Sequence, residues 1–155
     1  MSKIITAAQA AALVQDGCTL TTTGFNGFPE DLMMALADHF DQTSHPKDVT
    51  LVKCTSQGDG KGRGVSHLAE KPGLFQELIL SHMGYDPGLR KLVQEEKVSC
   101  FLLPLGNLMA LFRAIAGGLP GAIATTGIGT FADPRNGGGK ANQKTKDLGK
   151  EIVSL

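Results

Sequence analysis

The 155 residues carry 15 Lys+Arg against 15 Asp+Glu, with 41% hydrophobic and 5% aromatic residues, 20 Gly and no Trp. That is enough chain for one sizeable core, and a formal net charge of zero gives no long-range field for a polyanion, which argues against nucleic acid or an anionic membrane as the main partner. The longest apolar stretch, residues 100–112, is cut by Pro104, Gly106 and Asn107 and is too short to span a bilayer; the start has no secretory h-region; and the scattered Cys18, Cys54 and Cys100 point to a reduced, cytoplasmic protein without structural zinc.

In chain order, Thr6 is placed to cap a helix over residues 7–15, and Gly17 suits its left-handed stop. Residues 18–23 are β-branched and predict a strand that ends at Gly24. Pro29 fits a first helical position with Glu30 and Asp31 in the positive first turn, and Leu32, Met33, Leu36, Ala37 and Phe40 recur at helical spacing. A second strand is predicted over 49–54, followed by a polar, glycine-rich loop over 55–64. Residues 74–80 and 87–96 read as helices, 98–103 as a third strand, 108–116 as a helix and 122–126 as a short fourth strand. Residues 21–23, 51–54 and 101–103 are expected in the central strands. From Asp133 onward apolar residues are few until Ile152, which predicts a poorly anchored tail. The alternation predicts an α/β fold, an open and mainly parallel sheet covered by helices. Ligands in such folds bind beyond the carboxyl ends of the strands.

Glycine is enriched nearly twofold over its usual share of about 7%, and it falls in clusters after the predicted elements rather than in low-complexity tracts. Such turns allow close approach of backbone to a ligand. Neither phosphate motif is present: Gly139-Lys140 is followed by Ala141, and Gly24-Phe25-Asn26-Gly27 has the wrong spacing for a dinucleotide fingerprint. His39, His45, His67 and His82 are scattered without ligand spacing, and Ser56, Ser66 and Ser81 lie in no nucleophile elbow.

The run Gly24-Phe25-Asn26-Gly27-Phe28-Pro29-Glu30, entered from a β-branched strand and leaving into a helix, resembles the N-terminal motif of class I coenzyme A transferases. Similar matches follow in order: Cys54-Thr55-Ser56-Gln57-Gly58, Phe112-Arg113-Ala114-Ile115-Ala116, and the long run from Gly127-Ile128-Gly129-Thr130 through Asp133-Pro134-Arg135-Asn136 to Gly139-Lys140. Together they resemble the propionate or acetate CoA-transferase and acetyl-CoA:acetoacetyl-CoA transferase branch across nearly the whole chain. The resemblance implies the open α/β fold that CoA-transferases share with some sugar-phosphate isomerases. It also implies transfer of coenzyme A between a short-chain acyl thioester and a free carboxylate such as acetate, propionate or acetoacetate. Coenzyme A would enter as a thioester substrate, with no permanently bound cofactor and no metal. The candidate substrate-binding residues are Gly24, Phe25, Asn26, Gly27, Phe28, Ser56, Gln57, Gly106, Gly127, Gly129 and Thr130.

Two departures from the family pattern shape the expectation. Members of this branch are much longer, consist of two similar halves and carry a glutamate nucleophile in the second half, in a motif this chain lacks. Leu105 also stands where relatives commonly have a Gln. A covalent route needs that glutamate to form a mixed anhydride and then an enzyme thioester, so the chain is expected to be a single domain that supplies pocket walls and no catalytic residue. Three readings stay open: an N-terminal domain or fragment inactive alone, a small subunit acting with a partner chain that carries the glutamate, and a ligand-binding or isomerase-like domain on the same fold. Self-association into a homo-oligomer is expected, driven by the surface that would face the missing half. Arg135 and Lys140 fit either a coenzyme A phosphate or a solvated basic loop.

Overall fold

The computed structural model describes residues 3–22, 24 and 27–154. Thr6 closes a capping box with Gln9 at the start of helix α1 (Ala7–Ala11). The helix is shorter than the predicted 7–15 because Leu13 and Val14 turn back to Ala10 and Ala11. Strand β1 (Thr19–Thr21) leads through the Gly24 turn to α2 (Glu30–Thr43), where Pro29 is the N-cap and Met33, Leu36, Ala37 and Phe40 are buried as their spacing requires. Strand β2 (Val49–Lys53) is followed by the glycine-rich loop and a one-turn helix α3 (Ser66–Ala69) that the sequence pattern did not predict. Next come β3 (Phe75–Leu80), α4 (Pro87–Gln94), β4 (Ser99–Leu102) and α5 (Leu105–Ala116). A 3-10 turn at Pro134–Asn136 and helix α6 (Gln143–Asp147) complete the described elements.

The four strands form one parallel sheet in the order β1-β2-β3-β4. The α/β class and parallel sheet are as expected, but three local expectations are corrected. Residues 74–80 are not a helix: Phe75–Leu80 is a strand paired on both sides, with Leu78 and Leu80 fully buried. A mostly apolar segment this short fits a buried strand as well as a helix by pattern, and tertiary pairing decides it. Nor do 122–126 form a strand. The outer edge of β4 is already taken by the returning tail, through Leu102 N–H to Gly139 O at 2.8 Å and Ala141 N–H to Cys100 O at 2.9 Å, with an antiparallel bridge between Phe101 and Lys140. The central strands are therefore β2 and β3, while residues 19–21 and 99–102 lie at the sheet edges; Thr23, expected in a central strand, lies outside the described residues.

That pairing also corrects the expectation of a loose tail. Thr145, fully buried, accepts from Cys100 N–H at 2.6 Å and donates to Cys100 O at 3.1 Å. Asn142 caps α6 and donates to Val93 O and Val98 O at 3.1 and 2.9 Å. The core lies between the sheet and helices α2, α3 and α4, around Met33, Phe40, Leu51, Leu68, Leu78 and Leu89.

Candidate functional site

All four strands run parallel, so their carboxyl ends share one edge, and the loops leaving that edge carry the residues marked by the sequence. At β1 and β2 the turn is built around Gln57. Its carboxamide is buried: Nε2 donates to Thr22 O at 2.9 Å and to Gly24 O at 3.4 Å, and Oε1 accepts from Thr22 Oγ1. Thr55 Oγ1 reaches the same Gly24 carbonyl at 2.8 Å. Gly24 has φ +112°, and a Cβ there would stand 2.5 Å from Gly27 O, so the turn closes only with glycine. Ser56 is also buried and accepts from Tyr85 N–H at 3.3 Å. The structure thus brings Gly24 and Gln57 together and turns the Ser56 and Gln57 side chains toward the protein's own backbone. Phe28 is half-buried against the core, with the Arg63 guanidinium 5.8 Å from its ring centroid. Phe25 and Asn26 lie outside the described residues.

Glu30, the last residue of the first motif, clamps the glycine-rich loop. It accepts from Gly64 N–H at 2.7 Å, from Arg63 Nε at 3.4 Å and pairs with His67 Nε2 at 3.0 Å. Partial burial pushes the Glu30 carboxyl up, but these donors outweigh it and hold the group below its ordinary value. Gly64 has φ +69°, and a Cβ would lie 1.9 Å from Gln57 O, which forces glycine where the loop crosses the Gln57 backbone.

The second group sits beyond β4. Gly106 lies in the first turn of α5, after Leu105, which is exposed. Gly127 packs on Pro104, since a Cβ would meet its Cγ at 3.3 Å, and Asn107 Nδ2 donates to Thr126 O at 3.0 Å. Gly129 N–H is held by Asp133 Oδ2 at 2.7 Å, and Thr130 N–H by Gly127 O at 3.0 Å. These two donors are spent within the turn, so neither faces outward to oppose charge on a ligand. Asp133 also receives Arg135 Nη2 at 2.6 Å and Nε at 2.9 Å, and these hydrogen bonds hold its carboxyl far below the usual range. Lys140 pairs with Glu151. Arg135 and Lys140 therefore already have carboxylate partners. Two open grooves of about 400 and 290 Å³, lined around Glu96 and Gln143 and around Leu13 and Cys18, contain none of these residues.

Sequence reasoning missed Lys53 and Asp86, a fully buried ion pair beneath the first turn. Burial pushes the Lys53 ammonium below its ordinary value, and the Asp86 charge opposes that shift. Their separation in sequence leaves no local signal. The glutamates are otherwise placed as follows. Glu77 is buried and paired with Lys150 at 2.6 Å, Glu95 pairs with Lys97 at 2.7 Å, Glu96 accepts from Gln143 and Lys144 N–H, Glu151 holds Lys140, and Glu70 is the exposed C-cap residue of α3. Glu77, which the helical reading of 74–80 put on a helix, is instead buried on β3. Among the described residues no three of His, Cys, Asp and Glu cluster as a metal would require, and no helix is long and apolar enough to cross a membrane.

A parallel sheet whose carboxyl edge carries these turns matches a known family over almost its full length. Residues 4–153 match the Coenzyme A transferase family, and the chain belongs to it. It is similar to the caffeate CoA-transferase of Acetobacterium woodii, 39% identical over 157 residues that include all of this chain but 30% of that protein. It is 36% identical to the acetate CoA-transferase YdiF of Escherichia coli K12, over 93% of this chain and 28% of that one. The acyl-CoA transferase YdiF of Escherichia coli O157:H7, solved as a thioester complex with coenzyme A, superposes with a TM-score of 0.90 at 35% identity, covering 97% of this chain and 31% of that one. The chain thus spans less than a third of the length of these relatives.

Proposed function

We propose that this chain is the N-terminal portion of an acyl-CoA:carboxylate CoA-transferase, one domain that forms part of the substrate site and does not carry the nucleophile. The observation that carries this reading is the placement of the glutamates. Five of them hold the chain's own cations or backbone N–H groups, and the sixth, Glu70, ends α3 shortly before the amino end of β3, so none stands free at the carboxyl edge to attack a thioester. The substrates are a short-chain acyl-CoA and a free carboxylate, and coenzyme A enters as substrate. The turns at Gly24, Gln57 and 127–130 shape the wall, and reduced Cys18, Cys54 and Cys100 suit the cytoplasm. A reading as part of a separate subunit is favoured by one relative, the acetate CoA-transferase subunit alpha of Escherichia coli K12, which is 28% identical over 85% of this chain and of which the match covers 57%.

The test is complementation. The purified chain, incubated with acetyl-CoA and propionate or acetoacetate, is expected to give no exchange above background. Co-expression with the remaining portion of a relative's polypeptide is expected to give exchange. Turnover by the chain alone would overturn the reading.

A further inference from the structure

Among the described ion pairs, one has both partners fully buried, and it lies under the first turn. Lys53 ends β2 and Asp86 precedes α4. Both side chains have 0% relative exposure, and Lys53 Nζ donates to Asp86 Oδ2. Burying two ions costs several kcal/mol each, and a well-packed apolar pair of similar volume is often as stable or more so. Core filling alone therefore gives no reason for the pair. What an apolar pair cannot provide is the second contact: Asp86 Oδ1 accepts from the Gln57 N–H at 3.3 Å. The backbone beside it follows the same path. Tyr85 N–H donates to Ser56 Oγ at 3.3 Å, and Gly60 N–H to Tyr85 O at 3.2 Å. A Cβ on Gly58 would stand 2.7 Å from Tyr85 O and 3.0 Å from Asp86 Oδ1. Residues 85 and 86 thus form the floor on which 56–60 rest, and Lys53 holds the carboxylate with one oxygen toward Gln57. From Gln57 the contacts continue through its carboxamide to Thr22 and Gly24.

We propose that the Lys53–Asp86 pair is the positioning device of the first turn, fixing Gln57 and, through Gln57, the Thr22 and Gly24 backbone. Both are positioning residues and neither touches substrate. The CoA-transferase reading supplies only the purpose of the turn; the positioning is a property of the chain itself.

Amide hydrogen exchange followed by NMR on the 155-residue chain tests it, with Gln57 read against the core amide of Leu78. In K53M/D86L the ions are replaced by apolar side chains, and in K53M/D86N an oxygen remains for the Gln57 N–H. The expected result is that K53M/D86L keeps the wild-type rate at Leu78 while exchange at Gln57 rises about tenfold or more, as local opening requires. K53M/D86N is expected between the two. A pair that serves only overall stability would move Leu78 and Gln57 together, and that result, or wild-type exchange at Gln57 in the folded variants, overturns the proposal. Should K53M/D86L fail to fold, wild-type protection of Gln57 in K53M/D86N overturns it equally, and weakened protection confined to Gln57 supports it. The readout uses no ligand, so it stands or falls separately from the complementation experiment.

Discussion

Glu30 concentrates three loop contacts on one carboxylate. Arg63 and Gly64 at the end of the glycine-rich loop and His67 on α3 all approach it, and a charged acceptor makes stronger hydrogen bonds than a neutral one. The sign of its pH dependence follows from its lowered pKa. An unfolded glutamate titrates near 4.5 and the folded one lower, so its contribution is fully present above that value and is lost as pH falls through the folded value. Glu30→Gln is expected to cost on the order of 1–2 kcal/mol at neutral pH. The gap between wild type and variant should narrow below pH 4.5, as followed by urea unfolding at a series of pH values. Other carboxylates held below their ordinary values, Asp16, Asp59, Glu95 and Asp133, are common to both proteins and cancel in that difference. A gap that stays constant down to strongly acid pH would show that the Glu30 charge contributes nothing to the clamp.

At the level of elements, the tail shows how a segment with little apolar content is nonetheless fixed. Helix α6 has only five residues, too few to hold itself together, and docks on β4 by polar groups. Thr145 satisfies both the N–H and the C=O of Cys100, and Asn142 ties α6 to the end of α4 and the start of β4. Thr145→Val keeps the shape but leaves the buried Cys100 N–H without its partner, which is expected to cost about 1–3 kcal/mol and to raise amide exchange across residues 139–147. An unchanged thermal midpoint would refute that assignment. The same segment explains what was legible in the sequence. Helices α2 and α4 announce themselves by apolar spacing and by Pro29 and Pro87 at their starts. The tail is held by hydrogen bonds that no hydropathy pattern records. Strand β3 has six residues, four of them apolar, short enough to fit either period, and its partners β2 and β4 decide between them. The first motif placed Gly24 in the turn after β1, where glycine answers a local backbone demand, whereas the strand expected ahead of Gly127 is absent. The Lys53–Asp86 pair and the Glu30 clamp join residues 33 to 37 apart, and nothing local announces such meetings.

Across the whole molecule the helices bury their apolar residues unevenly. Helices α2, α3 and α4 contribute Met33, Leu36, Leu68, Leu89 and Val93 to the core. Helix α5, although largely apolar, buries Leu108 and Ala114. Leu105, Met109 and Ile115 on α5, and Leu119, Ile123, Ile128 and Phe131 after it, are 43–103% exposed. Leu105 and Met109 lie one turn apart on the same helix face. Contiguous exposed apolar patches on monomers seldom exceed about 300–600 Å² without serving as an interface, and a second copy can cover such a patch by two-fold symmetry. Phe28 is a weaker probe of this surface than Phe131, since it packs partly on the core. Sedimentation of the chain at tens of micromolar is expected to show a dimer or larger species. Phe131→Asp and Ile115→Lys are each expected to shift it toward monomer while leaving the fold intact, because both side chains lie at least 60% exposed and a charge there is readily solvated. Co-expression with the remaining portion of a relative's chain should abolish self-association if that portion occupies the same surface. A wild-type chain that sediments as a strict monomer would mean that α5 and residues 119–131 are tolerated in water as they stand.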